Sequence, residues 1–204
     1  MEQRTPEWFA ARTGKVSASK VSDVMSKTKS GYGASRATYM SQLLVERLTG
    51  TPTEFYANAA MQWGTDTEPQ ARAAYEFKTG NAVIEEGFIL HPNIEMSGAS
   101  PDGMVCDEGM LEIKCPNTAT HIATLLAEKA PSKYMNQMQW QMACAGRQWC
   151  DFVSFDPRLP ENNDFFCVRV KRDDERIEEL ESEVVKFLGE LDEMILKLKE
   201  RLKK

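Results

Sequence analysis

The sequence has no apolar run approaching the ~18 residues that span a bilayer. No apolar stretch follows Met1-Glu2-Gln3-Arg4 either, so neither a membrane span nor a secretory leader is expected. There is no internal repeat and no low-complexity tract, which sets aside fibrous and disordered chains. The five cysteines (Cys106, Cys115, Cys144, Cys150 and Cys167) form no Cys-x-x-Cys pair and no Cys/His spacing of the zinc type. Their odd number and core-like settings suit a reducing cytoplasm. A basic excess is also missing: 25 Lys+Arg stand against 31 Asp+Glu, net −6, with a pI near 5.1. That argues against a generally basic nucleic-acid coat.

What is present is ordinary globular material, with 204 residues, 42% hydrophobic and 27% charged. The length fits one domain, residues 1–172, with residues 173–204 as a helical extension of it. Charge is unevenly spread. From Arg12 to Arg36 six basic residues (Arg12, Lys15, Lys20, Lys27, Lys29, Arg36) face one acid, Asp23, and a local patch of this kind steers polyanions whatever the net charge.

Thr5-Pro6-Glu7 reads as a helix start. Ser26–Ser35, polar and glycine-bearing, reads as a flexible basic loop. Helices are expected over 36–49 and 59–79, stopped by Gly50 and Gly80. The period then changes to two, with strands expected over 82–90, 96–100, 104–106 and 110–115. Helices over 118–129 and 132–145 and strands over 149–155 and 165–170 follow. This is an α/β arrangement of a mixed sheet flanked by helices. In the C-terminal segment Ile177, Leu180, Val184, Phe187, Leu191, Met194 and Leu198 recur at spacings of three and four. Such a seam suits a helix on the domain's own flank or a contact with a partner equally well.

The chemistry concentrates in Ser100-Pro101-Asp102-Gly103 and Leu111-Glu112-Ile113-Lys114-Cys115. Alternation puts Leu111, Ile113 and Cys115 on one strand face and Glu112 and Lys114 on the other. A carboxylate and an ammonium on an interior strand are costly unless used. The hairpin folds Asp102 toward Glu112, and two converging carboxylates suit a cation with oxygen preference, Mg²⁺ or Mn²⁺. The pattern is PD-(D/E)xK, the metal-dependent nuclease signature, in which carboxylates hold metal and the lysine orients or helps deprotonate water. Glu68 on the preceding helix can add an acid. Tyr134, Gln137 and Gln141 share one face of the following helix.

Five ordered motifs extend this: Arg12-Thr13-Gly14 with Ser17-Ala18-Ser19, Trp63-Gly64 with Glu68, Ser100-Pro101-Asp102-Gly103, Glu112-Ile113-Lys114-Cys115-Pro116, and Tyr134-Met135-x-Gln137-x-Gln139. With them, residues 5–172 resemble the λ exonuclease (YqaJ-like, phage alkaline exonuclease) family. The resemblance implies a restriction-endonuclease-like core. It also implies a phage- or prophage-encoded enzyme in the bacterial cytoplasm that digests one strand of linear duplex DNA from a 5′-phosphorylated end. The 3′ single strand left behind feeds recombination through a single-strand annealing protein, and the enzyme works as a ring-shaped homotrimer. Two Mg²⁺ per site would be held by Asp102, Glu112 and the Ile113 carbonyl, with Lys114 serving the nucleophilic water and Glu68 and Gln137 completing the site. Arg12, Ser19 and Ser100 would hold the 5′ phosphate, with Ser17, Tyr134 and Gln139 also facing DNA. Lys29 would touch the backbone, and Met61 would be the apolar wedge at the terminal base pair. Two other readings stay open: another PD-(D/E)xK nuclease that cuts internally, and a non-catalytic DNA-end-binding assembly protein.

Overall fold

The computed structural model describes residues 1–53 and 58–201. Local chemistry accounts for many element ends. Helix α1 (Pro6–Arg12) begins where Thr5 Oγ1 accepts from Trp8 N at 3.3 Å, with Pro6 at the first position. Helices α3 (Ala34–Thr49) and α4 (Ala59–Thr79) stop at Gly50 and Gly80, whose φ values of 67° and 73° lie in the left-handed region. Between α1 and α3 run β1 (Val16–Ser17), a 3₁₀ turn at Ala18–Lys20, α2 (Val21–Val24), and the strands β2 (Lys27–Thr28) and β3 (Gly31–Tyr32).

The paired strands β2 and β3 correct the expectation of a loop over residues 26–35. Lys27 Nζ and Tyr32 Oη each donate to Glu183 at 2.8 Å, so both strands are pinned to the C-terminal helix. These anchors lie more than 150 residues away along the chain, where no local pattern reveals them.

The strands β4 (Val83–Ile84), β5 (Ile89–Leu90), β6 (Ser97–Ala99), β7 (Gly103–Val105) and β8 (Gly109–Lys114) come next. The expected single strand over 82–90 is therefore two, in different sheets: β4 pairs with β7 and β5 with β6. The break falls at Glu85-Glu86-Gly87, and a Cβ on Gly87 would lie 2.5 Å from the Met1 carbonyl oxygen, so the close approach of the N-terminal segment needs the glycine there. Helices α5 (Thr118–Ala127) and α6 (Met135–Ala145, entered by a 3₁₀ turn at Ser132–Tyr134) carry the chain across to β9 (Trp149–Phe155). β10 (Phe165–Lys171) and α7 (Asp174–Arg201) complete the order, and the last three residues of the expected C-terminal helix lie outside the described residues.

The main sheet runs β10-β9-β8-β7-β4 and is mixed, with β8 and β9 parallel and the other neighbours antiparallel. A parallel pair needs a long crossover, which α5 and α6 provide. Alternation along β8 divides the core as expected. Leu111, Ile113 and Cys115 pack with Ala71 and Tyr75 of α4, while Met110 packs with Met138 and Met142 of α6. A smaller sheet, β1-β6-β5, sits beside it with β1 and β6 parallel. The seam of α7 faces the chain's own core. Leu180, Val184, Phe187 and Leu191 are fully buried, in one cluster with Tyr39, Leu43 and Trp140.

Candidate active site

Pairing of β7 with β8 sets Gly103 opposite Leu111, and Asp102 extends the ladder by donating its N–H to the Leu111 carbonyl at 3.1 Å. The Asp102 side chain turns along β8, where Oδ2 accepts from Ile113 N at 2.6 Å. Glu112, on the face of β8 away from Leu111 and Ile113, is fully buried under α6. Its Oε1 accepts from Gln137 Nε2 at 2.6 Å and from Lys114 Nζ, and its Oε2 accepts from Gln141 Nε2 at 2.7 Å. Gln137 and Gln141 are one helical turn apart, so α6 grips both oxygens of one carboxylate. Gln141 belongs in the site. Its i+4 spacing from Gln137 was the available signal.

Burial pushes the Asp102 carboxyl well above the usual carboxylate range, and Glu112 adds to this more than Lys114 relieves it. Burial alone would depress the Lys114 ammonium, but Glu112 and Asp102 outweigh it and drive the pKa up. Lys114 is thus held as a cation that donates to Glu112 in the metal-free protein. The donor set of Asp102, Glu112 and the Ile113 carbonyl is all oxygen, and its excess negative charge is what a hard divalent cation relieves. The residues fit such a metal, although no cluster of three His, Cys, Asp or Glu side chains close enough to share one is found among the described residues.

Glu68 lines the same cleft, of about 630 Å³, as Asp102, Ile113, Lys114 and Tyr134. It does not converge on the two acids. One oxygen accepts from Arg4 Nη2 at 2.6 Å and the other from Arg72 Nη2 at 2.9 Å. Arg4 gave no signal in the sequence. It is placed by Gln3, whose Nε2 donates to the Glu86 and Pro101 carbonyls, each at 2.8 Å. Arg4 therefore occupies Glu68 in competition with any cation. Arg4→Ala is expected to tighten Mn²⁺ binding to the DNA-free protein several-fold, read by titration calorimetry; unchanged affinity would count against Glu68 as part of the metal environment. Met61 sits at the rim of the cleft, apolar and 45% exposed. Tyr134 stacks on Phe152, with the Lys114 and Lys133 ammonium groups 5.2 and 4.8 Å from its ring centroid.

On the other side of Asp102, Ser100 Oγ accepts from Trp8 Nε1 at 2.9 Å, and the Arg12 guanidinium lies over the Trp8 ring at 3.9 Å. Parallel pairing of Ser17 with Gly98 makes β1 and β6 leave their sheet at the same end, so exposed Ser19 and half-buried Ser100 emerge together. Ser17 is buried, its hydroxyl 3.4 Å from that of Ser19, and neither residue lines the cleft. Burial lowers the Arg12 pKa, against Tyr39 and Glu46, which raise it. Of the basic N-terminal residues, Lys20, Lys27 and Arg36 are spent on Asp23, Glu183 and Glu190. Arg12 and Lys29 form no ion pair among the described residues, and Lys29 is exposed in the turn between β2 and β3, outside the cleft.

Gln139 corrects an expectation. It is buried on the far side of α6, where Nε2 donates to the Lys171 carbonyl at 2.9 Å and Oε1 accepts from Asp173 N at 2.9 Å. Two residues on from Gln137 a helix turns by more than half a circle, so Gln139 secures the entry to α7 instead of facing DNA.

Residues 7–148 match the model of the YqaJ-like viral recombinase domain. The chain belongs to this family. Its fold is that of LHK-Exo, an alkaline exonuclease from Laribacter hongkongensis. This chain is 56% identical to LHK-Exo over 98% of each chain, with TM-scores of 0.91 for one crystal structure and 0.92 for the complex with dAMP. A phage related exonuclease from Haemophilus somnus 129PT is 19% identical over 90% of this chain and 96% of its own, at a TM-score of 0.73, and shares the fold. No curated protein matches. The architecture is thus the restriction-endonuclease-like one that the sequence motifs imply, in the λ exonuclease/YqaJ family.

Proposed function

We propose that this chain is a divalent-metal-dependent exonuclease. It digests one strand of linear duplex DNA from a 5′-phosphorylated end and leaves a 3′ single strand for annealing-type recombination. One observation carries this reading: Ser100-Pro101-Asp102 is a single short segment joining the Arg12–Trp8–Ser100 cluster to the Asp102–Glu112–Lys114 cluster. An anion held at the first cluster sets the next phosphodiester beside the second. LHK-Exo binds dAMP, a mononucleotide of the kind exonucleases release, which supports the same reading.

Arg12 grips the terminal phosphate with its forked donors, helped by the Ser19 and Ser100 hydroxyls. Met61 presses on the terminal base pair, and Lys29 reaches the strand backbone. Asp102, Glu112 and the Ile113 carbonyl hold the metal, Mg²⁺ or Mn²⁺, two per site. When bound, the metal polarises the scissile phosphate and stabilises charge on the attacking and leaving oxygens. Lys114 orients the attacking water, and Gln137 and Gln141 keep Glu112 fixed. The working assembly is a homotrimeric ring beside a single-strand annealing protein, in the cytoplasm of a phage-bearing bacterium.

The test uses a linear duplex with one 5′-phosphorylated and one 5′-hydroxyl end, beside a closed circle, in Mg²⁺ or EDTA. Metal-dependent loss of the 5′-phosphorylated strand alone is the expected result. Cutting of the circle would establish an endonuclease, and end binding without cleavage an assembly protein. In the same assay Arg12→Ala is expected to abolish the preference for the phosphorylated end, a loss of about tenfold to a hundredfold for one charge-assisted contact. An unchanged preference would remove Arg12 from the phosphate site.

A further inference from the structure

The loop that follows β9 holds an arginine whose fixing the reaction above does not use. The Asp156 carboxylate, fully buried, accepts from Thr118 Oγ1 at 2.6 Å and from three donors of Arg158: N at 3.1 Å, Nε at 2.6 Å and Nη2 at 2.9 Å. Nη2 also donates to the Pro116 carbonyl at 3.2 Å, and the guanidinium lies over the Trp63 ring at 4.3 Å. One edge and one face of the group are thereby fixed. The Arg158 side chain is nevertheless 46% exposed, and Nη1 makes no hydrogen bond among the described residues.

Its position ties it to the cleft. Lys114 and Ser154 are partners in the parallel β8–β9 pair, so both strands end at one edge of the sheet. Pro116, two residues past Lys114, lines the cleft and accepts from Arg158. The loop has other ties: Asp156 N donates to the Asp164 carbonyl at 2.8 Å, and His121 Nε2 lies 2.9 Å from the Asn163 carbonyl oxygen. The pair neutralises the buried Asp156 carboxylate and so helps to hold the loop, but that role engages only the Nε–Nη2 edge and leaves Nη1 without a partner among the described residues. A planar cation with its inner edge engaged and an outer amino group free is built to receive a phosphate.

We infer that Arg158 is a DNA-binding residue, whose outer amino group holds a backbone phosphate of the strand lying across the edge of the cleft beside Pro116. Asp156 and Trp63 are its positioning residues. The contact is blind to sequence, because phosphates carry no base identity. The inference rests on the exonuclease reading.

The test is equilibrium binding of a fluorescent 5′-phosphorylated linear duplex in Ca²⁺, over a salt series, with melting curves alongside. Wild-type protein, Arg158→Ala and Arg158→Lys are compared. Arg158→Ala is expected to weaken binding about tenfold and to flatten the slope of log Kd against log salt by about one. Its melting temperature should fall, because buried Asp156 keeps only the Thr118 hydroxyl and the backbone N–H of residue 158, so binding is read well below that temperature and the salt slope isolates the phosphate contact. Arg158→Lys should restore the slope but only part of the affinity, and it carries the test should the alanine variant fail to fold. An Arg158→Ala variant that binds like wild type at every salt concentration would overturn the inference and leave a loop clamp. Wild-type protein that binds no linear duplex would instead fail the exonuclease reading, and this inference with it.

Discussion

Asp102→Asn is expected to lose DNA cleavage by about a thousandfold or more and to melt at a higher temperature than the wild type, in the absence of metal. The two effects share one cause. Asp102 lies beside buried Glu112, and burial together with that neighbour pushes its carboxyl well above the usual range. An acid whose pKa rises on folding opposes folding once it must ionise. Its stability contribution is therefore best at low pH and is lost as pH climbs through the unfolded value toward the folded one. Asparagine removes that penalty and can still accept the Ile113 N–H that Asp102 Oδ2 accepts at 2.6 Å. It cannot supply the negative charge that holds a divalent cation. Melting curves with and without Mn²⁺ read both halves. Wild type should rise with added metal and the variant should not. A variant that melts lower than wild type without metal would show that the charge is compensated in the fold.

The same pair of residues marks how far the sequence reaches. Alternation on β8 put Glu112 opposite Leu111 and Ile113, and the structure has that division, since a one-residue slip would expose the Leu111–Ile113–Cys115 face. Capping residues and left-handed glycines marked α1, α3 and α4 because they act within a turn of the chain. Contacts between distant segments were not legible. Glu183 anchoring Lys27 and Tyr32 turned an expected loop into paired strands. Gln3 laid Arg4 against Glu68, so an acid that looked available for metal is held by two arginines. Gln139 shares a motif with Gln137, yet the pitch of α6 sends it to the start of α7. The α7 seam suited a partner or a flank equally, and only the position of Tyr39, Leu43 and Trp140 directs it inward.

Lys114→Ala is expected to lower turnover by about 10²–10⁴-fold while DNA ends still bind. The variant should fold. Glu112 loses one donor but keeps Gln137 and Gln141 on its two oxygens, so the carboxylate is not left bare. The more discriminating variant is Lys114→Arg. Glu112 and Asp102 raise the Lys114 pKa in the metal-free protein, which favours a role as a source of positive charge and a donor to water. An arginine preserves that charge and cannot deprotonate in a protein. Partial recovery in Lys114→Arg, with a turnover-versus-pH profile of the wild-type shape, is therefore the expected result. If Lys114 acted as the base, arginine would be as inactive as alanine, and wild-type turnover would climb with pH through the range where the lysine loses its proton. Full activity in Lys114→Ala would remove the residue from the chemistry and leave its ion pair with Glu112 as a packing feature of β8.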